Sequence, residues 1–197
     1  MAQSNLTKST EIKTLAFKSA LKWREWLEKN YTLTQGIWLR IYKKDSGKAT
    51  VFYPEALDEA LCFGWIDGQK KPYDEESWLQ KFTPRRAKSN WSKINTEHAE
   101  RLTKAGKMHT AGLKAIEEAK ADGRWEQAYQ GQRFMEIPDD FMAELNKNKK
   151  AKAFFETLNK VNLYAIGYRL QTAKRAETRQ KRIVQFIEMF AKGEKFH

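Results

Sequence analysis

The 197-residue chain carries 37 lysines and arginines against 25 aspartates and glutamates, a formal net charge of +12. This balance favours anionic partners and disfavours the direct capture of cationic peptides. One cysteine excludes an internal disulfide, and three isolated histidines form no recognisable metal motif.

The first part of the chain predicts a helix followed by a strand. From "STEIKTLAFKSALKWREWLEKN", apolar side chains recur at close to helical spacing up to Leu27. After Gly36, "IWLRIY" alternates, so that Ile37, Leu39 and Ile41 point one way and Trp38, Arg40 and Tyr42 the other. "KKDSGK", residues 43–48, predicts a hairpin turn, since its phosphate-loop character depends on one glycine.

The next stretch predicts a helix and a second pair of strands. "VFYPEALDEALCFG" is typical of a strand end and then a short helix that Pro54 opens and Gly64 ends. "WIDGQKKPYDEESWLQKFTPR" predicts two strands joined through Pro72 to Glu76. We therefore expect an α+β fold, with a small, mainly antiparallel sheet packed by helices and formed by residues 37–42, 65–71 and 78–83.

After Trp91 the pattern becomes almost wholly helical. Two helices should end at Gly106 and Gly123, and a connection without clear period should lead to Pro138. Beyond it, apolar faces recur with helical spacing at 151–158 and 183–190. The sequence thus predicts an α+β unit over residues 1–132 and a helical C-terminal unit over 136–197.

The stretch "FTPRRAKSNWSKIN", residues 82–95, is the best candidate for a ligand site. It combines basic side chains at a predicted strand-to-helix junction with a capping serine and a tryptophan that could stack on a ligand. The residues concerned are Arg85, Arg86, Lys88, Ser89, Trp91 and Ser92. In the alternative interpretation Trp91 belongs to the core, a serine caps the helix and the basic residues are solvated.

The second candidate is "CFGWIDG", where Trp65 and Asp67 precede Gly68. The Asp67 carboxylate either faces a pocket or closes an Asp-Gly turn, and the turn is the commoner arrangement. If this segment converges with Arg85 or Arg86, a structural ion pair is a further alternative.

Two other features carry less weight. Cys62 lies in an apolar run and predicts an inert, packed thiol. In "RLQTAKRAETRQKR", Arg175, Arg179 and Arg182 fall on one helical stripe, which suits either phosphate binding or a solvated face. No nucleophile–base arrangement and no cofactor motif stands out.

Several stretches resemble the bacteriocin-protection, YdeI/OmpD-associated family. They are "YKKDSGK", "PEALDEALCFGWIDG", "FTPRRAKSNWSKIN" and "AGLKAIEEAKADGRW", together with the tail "IPDDFMAELNKNKKAKAFFETL" and "AKRAETRQKRIVQFIEMFAKGEKF". The resemblance runs from about residue 11 to the end. It implies a link to resistance against bacteriocins or antimicrobial peptides, and it implies no particular reaction, cofactor or catalytic residue.

These observations predict a cytoplasmic, non-enzymatic binding or stress-response protein. The first residues lack the apolar core of a signal peptide, and no stretch has the length of a membrane span. Two alternatives stay open, namely an enzyme that acts on an anionic small molecule and a nucleic-acid-binding protein. The expected partner is an anion, while nucleic acid has no motif to support it.

Overall fold

The structure is a computed structural model and describes residues 11–131 and 135–197. The chain divides into two compact units. Unit 1 extends to Ser89 and also contains Glu97–Trp125, whereas unit 2 contains Asn90–Thr96 and Glu126–His197. The boundary therefore falls inside the stretch 82–95, after Ser89.

A four-stranded sheet forms the centre of unit 1. Its strands are β1 (Thr14–Ala16), β2 (Ile37–Tyr42), β3 (Trp65–Asp74) and β4 (Ser77–Pro84), in the order β1-β2-β4-β3. β1 runs parallel to β2, and the other two pairings are antiparallel. The mainly antiparallel sheet and its three predicted strands are confirmed.

The first element differs from the prediction. A short edge strand replaces the N-terminal part of the expected helix, and α1 covers only Ala20–Asn30. The Ser19 hydroxyl accepts a hydrogen bond from the Lys22 amide at 3.4 Å and marks the start of the helix. Over three residues the spacing of apolar side chains fits a helix and a strand equally well. Pairing with β2 therefore decides the conformation.

The predicted hairpin at "KKDSGK" is also wrong. Lys44–Ser46 form a short 3-10 helix, and no strand forms at residues 49–52 of the described chain before α2 (Tyr53–Cys62) begins. The Glu55 carboxylate accepts a hydrogen bond from the Phe52 amide at 3.2 Å, which stabilises a helix start where the sequence indicated a strand end.

Helices α1 and α2 pack on one face of the sheet, which is called the helix face below. The rings of Trp23 on α1 and Phe82 on β4 lie 5.7 Å apart, and the Trp23 indole donates to the Ala56 carbonyl of α2 at 3.0 Å. Ile37, Leu39 and Ile41 are buried on this face, as their alternation predicts. Two further helices follow, α3 (Lys93–Lys104) and α4 (Thr110–Ala121).

Unit 2 contains four helices within the part of the chain that is described. They are α5 (Asp139–Leu145), α6 (Lys149–Phe155), α7 (Lys160–Gln171) and α8 (Ala176–Ala191). Their shared core includes Phe141, Leu145, Ile166, Phe186 and Phe190. The helical C-terminal region is confirmed. In neither described segment is a helix both long and apolar enough to span a membrane.

Candidate anion-binding surface

The loop after β4 keeps two of its predicted cations in contact with solvent. Arg86 and Lys88 are exposed, whereas Arg85 is half-buried. The loop's backbone is engaged internally, because the Arg85 amide donates to the Gly64 carbonyl at 2.9 Å and the Arg86 amide to the Ser89 hydroxyl at 3.0 Å. Because these two amides already donate within the protein, they do not point at a common anion. The loop would therefore attract an anion through the charge of its side chains and not through these amides.

Trp91 and Ser92 take structural positions in unit 2. The Trp91 side chain is 2% exposed, and the Ser92 hydroxyl accepts from the Asn95 amide at 3.2 Å at the start of α3. These are the core and capping positions of the alternative interpretation. Stacking of Trp91 on a ligand would require its ring to leave that core.

Trp65 and Asp67 lie in β3 and point toward the helices. Trp65 is fully buried, and its indole donates to the Tyr31 carbonyl at 2.8 Å. Asp67 pairs with Phe82 in the sheet and accepts from the Tyr53 hydroxyl at 2.8 Å. Burial and the nearby Asp67 carboxylate raise the pKa of the Tyr53 hydroxyl, so that it stays a neutral donor.

The Asp-Gly turn does not form. Asp67 and Gly68 lie inside β3, where the register shifts between Asp67 and Lys70, and the turn between β3 and β4 is confined to Glu75 and Glu76. Gly68 has no positive φ. The dipeptide therefore marks a β-bulge, in which the extra residue is taken up within the strand.

The opposite face of the sheet carries aromatic and cationic side chains together. We call it the open sheet face and define it by Trp38, Arg40, Tyr42, Lys71, Tyr73 and Lys81. Sheet register supports the set, since Trp38 pairs with Lys81, and Arg40 and Lys71 both pair with Leu79. Leu79 is buried at its centre, whereas Lys71 and Tyr73 are exposed and the others half-buried. At the edge, the paired β1 residues Thr14 and Ala16 are exposed as well.

Trp38 holds two cations on this face. The Lys71 ammonium lies 4.3 Å from the centre of the Trp38 ring, and the Lys81 ammonium lies 5.8 Å from it. Both distances are within the range of a cation–π contact. Among the described residues, neither lysine takes part in an ion pair, while the chain has several such pairs elsewhere.

Two other cations contact the tyrosine rings of this face, Arg40 and Lys48, and both are already neutralised. Arg40 donates to the Asp74 carboxylate at 2.5 Å and to the Ser77 hydroxyl at 2.9 Å, and Lys48 pairs with Glu76. A hydrogen bond from the Ser77 hydroxyl, aided by Arg40, lowers the pKa of Asp74. Of the four cations described over the rings of the open sheet face, the two at Trp38 are therefore the ones outside these ion pairs.

The sequence placed three residues of this surface on one side of a strand but did not indicate a site there. The alternation of residues 37–42 placed Trp38, Arg40 and Tyr42 together, but no feature of the sequence linked them to Lys71 or Lys81. The register of β2, β4 and β3 brings these lysines to the same face. The alternation within one strand cannot reveal which strands pair, since the pairing depends on contacts between residues about 30 to 45 positions apart.

The C-terminal basic stripe is largely used within unit 2. Arg179 pairs with the Asp140 carboxylate at 2.6 Å and donates to the Leu170 carbonyl at 2.7 Å. Arg182 donates to the Arg169 carbonyl, and Arg175 precedes α8 as its N-cap residue. Two of the three arginines thus fix the helices of this unit.

The described residues contain no group of three or more side chains arranged to hold a metal ion. Cys62 is fully buried, and burial raises the pKa of its thiol to about 11. A thiol of this kind is a poor nucleophile, since the thiolate is the reactive form.

The comparisons with known proteins divide the chain in a similar way. A family described as a domain of unknown function (DUF8412) matches residues 15–115, and the family described as "Bacteriocin-protection, YdeI or OmpD-Associated" matches residues 135–193. The first match covers about half of the chain, so the chain belongs to the family of this domain of unknown function, and its C-terminal segment matches the YdeI/OmpD-associated family. No curated protein and no solved structure matches it.

These matches refine the predicted resemblance. The YdeI/OmpD-associated match covers the helical C-terminal segment, so the tail carries the family signal. The N-terminal stretches from "YKKDSGK" to "FTPRRAKSNWSKIN" lie within the domain of unknown function. The open sheet face also lies there, and the family's association with bacteriocin resistance assigns no activity to it.

Proposed function

We propose that the protein is a cytoplasmic, non-enzymatic binding protein whose open sheet face binds a polyanion. The observation that supports this function is the pair of lysines at Trp38, which have no ion-pair partner in the described chain. The overall charge of +12 acts in the same direction, because it draws anions to the surface from a distance.

The modest strength of exposed ion pairs favours a polyanion over a single small anion. One such pair contributes only about 0.2–1 kcal/mol, because water and salt screen it. A ligand with many charges gains from several weak contacts at once and releases several counterions. The exposed Arg86 and Lys88 of the 82–95 loop would add long-range attraction in the same unit.

In this proposal any protection against bacteriocins is indirect. A protein with a net charge of +12 repels cationic peptides. A binding protein that acts on an anionic component inside the cell would instead alter the cell's response to the peptide.

Calorimetry with inorganic polyphosphate tests the function. We expect Lys71→Ala/Lys81→Ala to weaken binding roughly 2- to 30-fold, which corresponds to two exposed ion pairs. The salt dependence of the binding constant should also become shallower. Lys29→Ala/Lys150→Ala is the control, because it removes two exposed lysines that lie outside the open sheet face.

A third variant compares the two candidate surfaces. We expect Arg86→Ala/Lys88→Ala to reduce affinity less than the open-face variant does, because the loop's amides are already bonded. Equal losses in the open-face variant and the lysine control would contradict the proposal, and so would the absence of any polyphosphate binding at low salt. A larger loss in the loop variant would move the site to residues 85–89.

A further inference from the structure

We infer that the polyanion is a single-stranded nucleic acid, whose bases stack on the aromatic rings of the open sheet face. This inference rests on the proposed function and names the chemical class of its ligand. It starts from the aromatic side chains, which a simple cationic surface does not need.

Rings and cations alternate along β2. Trp38, Arg40 and Tyr42 occupy successive positions on the open sheet face, so each step from ring to cation to ring is about 7 Å. Tyr73 on β3 extends the row sideways, and the Arg40 guanidinium lies 4.5 Å from the Tyr42 ring and 4.9 Å from the Tyr73 ring. Arg40 is paired with Asp74, so the rings of this row offer stacking surfaces for the bases of a single strand, and Lys71 and Lys81 at Trp38 are the cations available to its phosphates.

The existing cation–π contacts do not block stacking. Lys71 is exposed and has no ion-pair partner in the described residues, so its ammonium can move from the Trp38 ring to a phosphate. Stacking of a base on an aromatic ring contributes more to the free energy of binding than an exposed cation–π contact contributes to the free energy of folding. The exchange of a lysine for a base is therefore favourable, and the released lysine gains a phosphate partner.

Other polyanions fit this surface less well. A duplex hides the faces of its bases, so the rings would have nothing to stack on. A membrane surface selects side chains that insert into the acyl region, but the aliphatic residue at the centre of this face, Leu79, is buried. Tyr73 is 53% exposed at the strand edge, where it can reach an unstacked base.

Fluorescence anisotropy with matched probes tests the inference on the full chain. The probes are a labelled oligothymidine, an abasic oligonucleotide of the same length, a duplex, and polyphosphate as an unlabelled competitor. Vesicles that contain anionic phospholipid form a separate sedimentation assay. We expect the oligothymidine to bind at least about fivefold more tightly than the abasic strand, which corresponds to one stacked base.

Variants then locate the stacking. Tyr73→Ala should weaken oligothymidine binding about fivefold and leave binding of the abasic strand unchanged. Phe52→Ala is the matched control, because Phe52 is equally exposed and lies at the start of α2. Trp38→Leu should have a larger effect, and Tyr73→Ala carries the test if Trp38→Leu does not fold.

The outcomes separate this inference from the proposed function. If the abasic strand and polyphosphate bind as tightly as the oligothymidine, the proposed function stands and the inference is wrong. Binding to vesicles without binding to the oligothymidine also overturns it. If no polyanion binds, both are wrong.

Discussion

Asp58 joins α2 to α3 in unit 1 through two basic side chains. The Nδ1 atom of His98 lies 2.7 Å from the Asp58 carboxylate, and Arg101 donates to both carboxylate oxygens at 2.7 Å. Burial by itself would raise the pKa of Asp58, but the hydrogen bonds from Arg101 and His98 outweigh it, so the pKa is lowered.

This contact should make stability depend on pH. A carboxylate whose pKa is lower in the folded state contributes stability that is fully present above its unfolded pKa, about 3.9, and is lost as the pH falls through the folded value. We expect the free energy of unfolding in urea to decrease below about pH 4. In Asp58→Asn the decrease should be smaller and the stability at pH 7 lower.

The exposed Asp45 provides the control for this measurement. Asp45→Asn removes the same charge from the short 3-10 helix without touching α2 or α3. Identical pH profiles for wild type and Asp58→Asn would show that the contact does not contribute to stability.

Single residues also show where sequence reasoning reaches its limit. The alternative interpretation, with Trp91 in the core and Ser89 or Ser92 as the helix cap, followed from local patterns, and the structure places Trp91 in the core and Ser92 at the cap. By contrast, the partners of Asp58 lie 40 and 43 residues away. Such a cluster forms only when two helices pack together, and no local sequence pattern predicts which helices do so.

At the level of elements, α4 approaches the end of α2 through a glycine. A Cβ atom added at Gly112 would lie 2.2 Å from the carbonyl oxygen of Cys62, although its φ is negative. The His109 amide also donates to this carbonyl at 3.0 Å. The side chain of any other residue would therefore push the two helices apart.

Gly112→Ala should consequently destabilise the protein. Overpacking of a close contact typically costs about 1–3 kcal/mol, although alanine favours a helix by about 1 kcal/mol over glycine. We expect a net loss in the free energy of unfolding and a lower melting temperature by calorimetry. Gly68→Ala is the control, because Gly68 has no positive φ and an added Cβ would meet its nearest neighbour, the Lys81 Cβ atom, only at 3.8 Å. A stabilised Gly112→Ala variant would contradict the close approach.

The three longer strands were predictable, whereas β1 and two of the short connections were not. β2 alternates over six residues, and β3 and β4 flank a polar turn, so their periods are clear. β1 has only three residues, which is too short for a period to show. The bulge at Asp67 and Gly68 and the 3-10 helix at Lys44–Ser46 both resemble turns in sequence. Their conformation depends on sheet pairing and on the cap of α2.

Across the whole molecule, positive charge has different roles in the two units. In unit 2, Arg179 and Arg182 donate to groups within their own helical bundle. In unit 1, Lys71 and Lys81 stand on an aromatic ring without an ion-pair partner in the described chain. The C-terminal stripe could be predicted because its arginines are close together in the sequence of one helix. The open sheet face could not be predicted, because its residues come from three strands that are far apart in the sequence.

The total charge leads to a prediction about protection. Since a net charge of +12 repels cationic peptides, purified protein that is added to such a peptide should leave its inhibitory concentration unchanged. Loss of the gene should nevertheless increase sensitivity to bacteriocins if the family's association applies to this chain. Growth assays with the peptide alone, with added protein and with a deletion strain measure both effects.

Complementation then connects this phenotype to the open sheet face. Lys29→Ala/Lys150→Ala should restore resistance to the deletion strain, whereas Lys71→Ala/Lys81→Ala should not, because only the second variant removes the cations held on Trp38. The variants must be present at equal levels in the cell. Direct neutralisation of the peptide by purified protein would refute an indirect role. Full rescue by Lys71→Ala/Lys81→Ala would show that resistance does not depend on polyanion binding by the open sheet face.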